Sequence, residues 1–134
     1  MLKFVPTICP YCGVGCGLLL VVKEGRVVDT QPWPGHPMSE GKLCIKSWNV
    51  HQFIHHPDRL TKPLIKKNGS FQESSWEEAI SLIAGRLGEI KGKSGSDSIA
   101  FLSSAKCTNE ENYLLQKFAR AVIRTNNIDH CARL

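Results

Sequence analysis

The stretch "ICPYCGVGC", from Ile8 to Cys16, places three thiols within eight residues and laces them with glycine. With Cys44 the pattern becomes C-x2-C-x3-C-x27-C. A run this dense in cysteine and glycine forms neither a regular helix nor a regular strand. It reads as a tight loop, and a metal, a disulfide or no particular role is open for its thiols. Four thiolates are the usual complement of a four-iron cluster, with three close ligands on one side of a cubane and a distant fourth closing it. Gly13, Gly15 and Gly17 give the loop its tight path and let backbone donors face sulfur, which raises the potential of such clusters.

Structural zinc is the alternative, since it also takes four cysteines. Its ligands usually come as two separated C-x2-C knuckles, and Cys44 has no close second cysteine. Disulfides would need an oxidising compartment. Cys107 and Cys131 fit neither pattern and read as small core residues. In "HQFIHH", His51 and His55 have metal-ligand spacing on a helix, but no carboxylate signature accompanies them. They and His56 read as surface histidines. Lys46, two residues past Cys44, is by itself a solvated charge; beside a cluster, its cation would raise the potential or bridge to an anionic neighbour.

At 134 residues the chain fits one domain or two small ones, and a hydrophobic fraction of 42% speaks against disorder. The formal charge of +5 is spread along the chain, which suits phosphate-bearing cofactors better than a nucleic-acid arm. Aromatic residues are too sparse for a base-stacking platform, so no nucleic-acid partner is expected. The start "MLKFVPTICP" carries no secretory or twin-arginine signal. The longest apolar run, residues 18–22, is too short to span a membrane. The expected compartment is the cytoplasm, where clustered thiols read as metal ligands.

Two domains are expected, 1–59 and 60–134. In the first, "LLLVVKEGRVVDTQP" predicts a hairpin: Leu18 to Val22, a turn at Glu24-Gly25, then Arg26 to Thr30. The prolines of "QPWPGHP" should stop the strand. A short helix is expected after Cys44, through Ile45, Trp48 and Phe53. In the second, "PLIKKNGSF" predicts a hairpin turning at Asn68-Gly69. "SSWEEAISLIAGRLGEIK" predicts a helix capped by Ser74 or Ser75, with Trp76, Ala79, Ile80, Ile83, Leu87 and Ile90 on one face. "IAFLSS" reads as a buried strand. Thr108 with Glu111 predicts the cap of a second helix, about Asn109 to Arg124. The fold class is thus α+β or α/β: a small β-rich cluster domain, then the incomplete start of an α/β domain. One strand between two helices makes a poor sheet, so either another subunit completes it or this is the front of a longer protein.

"CPYCGVGC", "GKLCIKSW", "TNEENYLLQKFARAV" and "TNNIDHCARL" together resemble the start of the catalytic chain of molybdenum- or tungsten-dependent formate dehydrogenases, which are molybdopterin oxidoreductases. The resemblance runs over essentially all 134 residues. It implies that Cys9, Cys12, Cys16 and Cys44 ligate a 4Fe-4S cluster. It implies that Lys46 relays electrons between that cluster and the pterin, and that Thr108 and Asn109 lie near a bis-molybdopterin guanine dinucleotide carrying Mo or W. The implied reaction is oxidation of formate to CO2, with iron-sulfur or flavin electron-transfer subunits as partners. A stand-alone iron-sulfur electron-transfer module, a zinc-stabilised structural module and the front of a nitrate reductase are the rival readings.

In that family the match to "CARL" is followed at once by the selenocysteine or cysteine that ligates the metal, then by a histidine. The sequence ends at Leu134. The resemblance therefore leads to the expectation of a selenocysteine-type enzyme ended at the selenocysteine codon, with a true stop or an ordinary gene fragment as the alternative. These 134 residues alone are expected not to oxidise formate.

Overall fold

Pro6 and Pro32 both lie inside strands of one antiparallel sheet. The computed structural model describes residues 1–131 and shows β1 (Leu2–Ile8), β2 (Gly17–Lys23) and β3 (Arg26–Pro32) in the order β1-β2-β3. Each proline is on an edge strand, where a missing N–H breaks no central ladder: Pro6 faces Leu19 and Pro32 faces Leu18 across β2. Only a short apolar stretch marks β1 in the sequence. The prolines of the next segment stop β3 only after Pro32, two residues later than expected. The turn is where it was expected: Glu24 and Gly25 have φ of 50° and 78°, the two positive values a two-residue hairpin turn requires. The register shifts between Val21 and Val22, whose partners are Asp29 and Val27, so Val28 bulges out of β3.

The helix expected after Cys44 is two short ones, α1 (Ile45–Trp48) and α2 (Val50–Ile54), broken at Asn49. His51 and His55 hold α2 to β3. The Thr30 hydroxyl lies 3.2 Å from His51 Nδ1, and the Val27 N–H donates to His55 Nε2 at 3.0 Å. Cys9, Leu18 and Val50 form the core here, and Tyr11, Cys16, Leu20, Leu43, Phe53 and Ile54 pack against it. Fully burying Leu18 contributes about 1.5–3 kcal/mol, so the loop that carries the cysteines is anchored on this core.

The chain divides into two compact units. The first holds 1–59 together with Ser104–Leu114 and the chain from His130; the second holds Leu60–Ser103 and Leu115–Asp129. In the second, β4 (Leu64–Lys67) and β5 (Ser70–Glu73) form the expected hairpin, with φ of 51° and 84° at Asn68 and Gly69. α3 runs Trp76–Ser94. Of the two candidate caps it is Ser75 that serves, its Oγ accepting from the Glu78 N–H at 3.1 Å. Gly95, with φ of 83°, ends it. Of the predicted apolar face only Ala79 is buried; Trp76 is 69% exposed.

"IAFLSS" does not form a buried strand. β6 (Phe101–Ser104) pairs with one described neighbour, β7 (Ile128–Cys131), and Leu102 is 83% exposed. Ile99, just ahead of β6, is buried. The second predicted helix begins as α4 (Asn109–Lys117), with Thr108 and Glu111 bonding reciprocally: the Thr108 N–H donates to Glu111 Oε2 at 2.6 Å and the Glu111 N–H to Thr108 Oγ1 at 3.3 Å. From Phe118 to Ile123 it widens into a π-helical turn that ends on left-handed Arg124. No described helix is long and apolar enough to cross a membrane. Of "CARL", only Cys131 lies within the described residues.

Candidate metal centre

Three strand and helix ends deliver the four thiols. Cys9 follows β1, Cys16 precedes β2, and Cys44 immediately precedes α1. The Cys9 N–H donates to the Cys16 carbonyl at 2.8 Å and closes the loop between them. Within it the Gly15 N–H lies 3.4 Å from the Cys12 carbonyl, and Gly15 has φ of 67°, a conformation that glycine adopts without strain. Cys9, Cys12, Cys16 and Cys44 form no disulfide among the described residues.

Cys16 feels the other three thiols. Burial pushes the Cys16 thiol above its ordinary range, and the thiolates of Cys9, Cys12 and Cys44 push it further. Cys44 shifts the opposite way. The Ser47 N–H and hydroxyl hold it down, followed by the N–H and cation of Lys46, against a burial effect that raises it. Lys46 is exposed. Among the described residues, no three His, Cys, Asp or Glu side chains close on the span of a single ion.

Ser47 has no signature in the spacing of the cysteines, and the sequence did not point to it. It is fully buried, its hydroxyl donates to Cys9 Sγ at 3.1 Å, and Cys44 Sγ lies 3.7 Å away. His36 and Ser39 were missed as well. Both are buried and both accept from the Gly17 N–H, at 3.2 Å to His36 Nδ1 and 3.1 Å to Ser39 Oγ. They fix the backbone directly after Cys16. Asn109 reaches the same loop from the first turn of α4, its Nδ2 donating to the Gly13 carbonyl at 2.8 Å. Cys107 is not drawn into the quartet; its thiol donates to the Ser104 carbonyl at 3.0 Å. Cys131 is exposed at the end of β7.

Comparison with known proteins agrees with this layout. The model of the molybdopterin oxidoreductase Fe4S4 domain matches residues 2–56, and that of molybdopterin oxidoreductase matches residues 59–134. The chain is 59% identical over 132 residues to the F420-dependent formate dehydrogenase 2 subunit alpha of Methanococcus maripaludis, covering 98% of this chain and 19% of that one. It is 61% identical over 132 residues to the F420-dependent formate dehydrogenase subunit alpha of Methanocaldococcus jannaschii, again with 98% and 19% covered. To the putative formate dehydrogenase YrhE of Bacillus subtilis it is 47% identical over 131 residues, covering 98% and 13%. The chain thus spans about a fifth or less of the length of these relatives. Among solved structures, acetylene hydratase from Pelobacter acetylenicus matches with a TM-score of 0.68 at 26% identity, over 93% of this chain and 18% of that one. Matched along both parts by models of the iron-sulfur domain and of the molybdopterin domain, the chain belongs to the molybdopterin oxidoreductases.

Proposed function

We propose that this chain is the cluster-bearing front of a formate dehydrogenase alpha chain, with Cys9, Cys12, Cys16 and Cys44 holding a 4Fe-4S cluster. The observation that carries the reading is the gathering of Cys9, Cys12 and Cys44 close enough to Cys16 to raise its thiol, although Cys44 lies 28 residues further along the chain. The match of residues 2–56 to the Fe4S4-domain model supports a cluster over zinc. The high identity to formate dehydrogenase alpha chains supports formate as the substrate over nitrate.

Residues 1–59 are proposed as the cluster domain and 60–134 as the start of the molybdopterin domain, in line with the two matched models. When bound, the bis-molybdopterin guanine dinucleotide, with Mo or W, supplies the two-electron chemistry that turns formate into CO2 and a proton. This chain's own residues hold and insulate the cluster. Cys44 favours its thiolate, the ligating form, because Ser47 and Lys46 donate to it. Lys46 supplies a cation beside Cys44, the place an electron relay would occupy. Asn109, with Thr108 beside it, carries α4 onto the cysteine loop.

Electron-transfer partners of iron-sulfur or flavin type are proposed. The names of the Methanococcus and Methanocaldococcus relatives point to F420 as the eventual acceptor. The cytoplasm is proposed as the compartment, because a reducing environment keeps clustered thiols available as metal ligands. Anaerobic expression with iron and sulfide tests the cluster. About four irons per chain and a reducible paramagnetic signal are expected; colourless protein, or bound zinc, rejects the assignment. The selenocysteine reading is tested on DNA past the Leu134 codon. An in-frame TGA, a histidine codon and a long open frame support it, and any other stop rejects it.

A further inference from the structure

Serine in a helix usually turns its hydroxyl back to a carbonyl of the preceding turn or out to water. Ser47 does neither. It is 1% exposed, and both side-chain partners are cysteine sulfurs separated by 35 positions in sequence: Cys9 Sγ at 3.1 Å and Cys44 Sγ at 3.7 Å. A hydroxyl has one proton. The shorter contact takes it, so the oxygen faces Cys44 with its lone pairs while that thiol is protonated.

We infer that Ser47 is a positioning and tuning residue of the cluster, donating from a dry site to the Cys9 sulfur and holding the near ligand loop against the distant ligand. The inference rests on the cluster reading proposed above. A hydrogen bond to a ligand sulfur strengthens as the cluster becomes more negative, so it favours the reduced state and raises the potential. Burial enlarges the effect, because no water competes for the sulfur or replaces a lost donor.

The test uses the full chain, reconstituted anaerobically with iron and sulfide, as wild type, Ser47→Ala and Ser47→Thr. Iron content and the paramagnetic signal of the wild type are read first; colourless wild type defeats the cluster reading itself and is recognised before any variant is compared. Given a loaded wild type, the midpoint potential is then measured by titration. Ser47→Ala should shift the equilibrium about tenfold toward the oxidised cluster, about 59 mV downward for a one-electron couple, and Ser47→Thr should restore most of it. An unchanged potential in Ser47→Ala, or an equal fall in both variants, overturns the inference. If Ser47→Ala takes up no iron, circular dichroism of the metal-free chain decides. A folded chain that cannot load supports the positioning role, whereas an unfolded one assigns Ser47 to the fold alone and overturns it.

Discussion

Asn109 donates to the Gly13 carbonyl at 2.8 Å across 96 positions of sequence, so the first turn of α4 is pinned to the middle of the cysteine loop. The two residues also compete for space: a Cβ at Gly13 would overlap the Asn109 carboxamide oxygen. That oxygen ends a short exposed side chain, which can swing away only by giving up the hydrogen bond. Gly13→Ala and Asn109→Ala should therefore each cost about 1 kcal/mol, the worth of one such bond. The double variant should cost no more than either alone. Chemical denaturation of the four chains checks this, and additive losses would show that the two residues act separately.

Gly17 is confined more severely. Its missing side chain leaves room for the buried His36 ring, which would overlap a Cβ and which itself packs on Trp33 with ring centroids 5.4 Å apart. Here the obstacle is a buried ring rather than a free tip. Gly17→Ala should cost about 3 kcal/mol, the upper range of overpacking, with part of it recovered by adding His36→Ala. A urea midpoint near that of wild type would contradict the rigidity assigned to this contact.

What the sequence disclosed follows the reach of local rules. The turns at Glu24-Gly25 and Asn68-Gly69 were legible because both residues of each need positive φ, and the chemistry of two adjacent residues decides that. The α3 cap was legible as one of two adjacent serines. The contacts of Ser47, His36 and Asn109 were not legible, although the family resemblance pointed to the neighbourhood of Asn109. Each acts on a partner 38, 19 or 96 positions away, beyond the reach of any local pattern. β1 escaped notice because Pro6 argues against a strand until the strand is known to be an edge. The apolar period of α3 was plain, yet periodicity cannot say what covers a face, and most of that face is exposed. The π-helical turn at Phe118–Ile123 keeps the apolar spacing of the helix it interrupts, so the pattern reads as one helix.

Glu78 makes the start of α3 sensitive to acid. Its carboxylate takes Lys67 Nζ at 2.7 Å and the Ser74 hydroxyl at 2.9 Å, and these two hydrogen bonds, Lys67 first, hold its ionisation below the usual range. The folded value thus lies under the unfolded one. The stabilisation is present above the unfolded value and is lost as pH falls through the folded value. Glu78→Gln should flatten the acid limb of the stability profile while leaving neutral stability little changed, since the pair is exposed. Ser75→Ala should instead lower stability at all pH by about 1 kcal/mol. Thermal unfolding of the two variants between mildly acid and neutral pH separates the effects, and an unaltered acid limb in Glu78→Gln would remove Glu78 from the account.

Thiol alkylation resolved by peptide mapping reads the quartet directly. In the metal-free chain Cys44 is held down by donors from Ser47 and Cys16 is pushed up by burial and by its neighbours' charge. The thiolate is the reacting form. As pH rises from neutral, Cys44 should therefore label before Cys16, with Ser47→Ala delaying Cys44. The raised Cys16 value also has a stability consequence: the folded thiol resists ionisation, so stability is intact below the unfolded value and falls as pH rises through the folded one. Loading with iron and sulfide should block Cys9, Cys12, Cys16 and Cys44 together and leave exposed Cys131 reactive. Chelating the iron should return all four at once, because a cubane that loses its metal releases every corner. Protection of three thiols with the fourth still labelled would break the assignment of Cys9, Cys12, Cys16 and Cys44 as one ligand set.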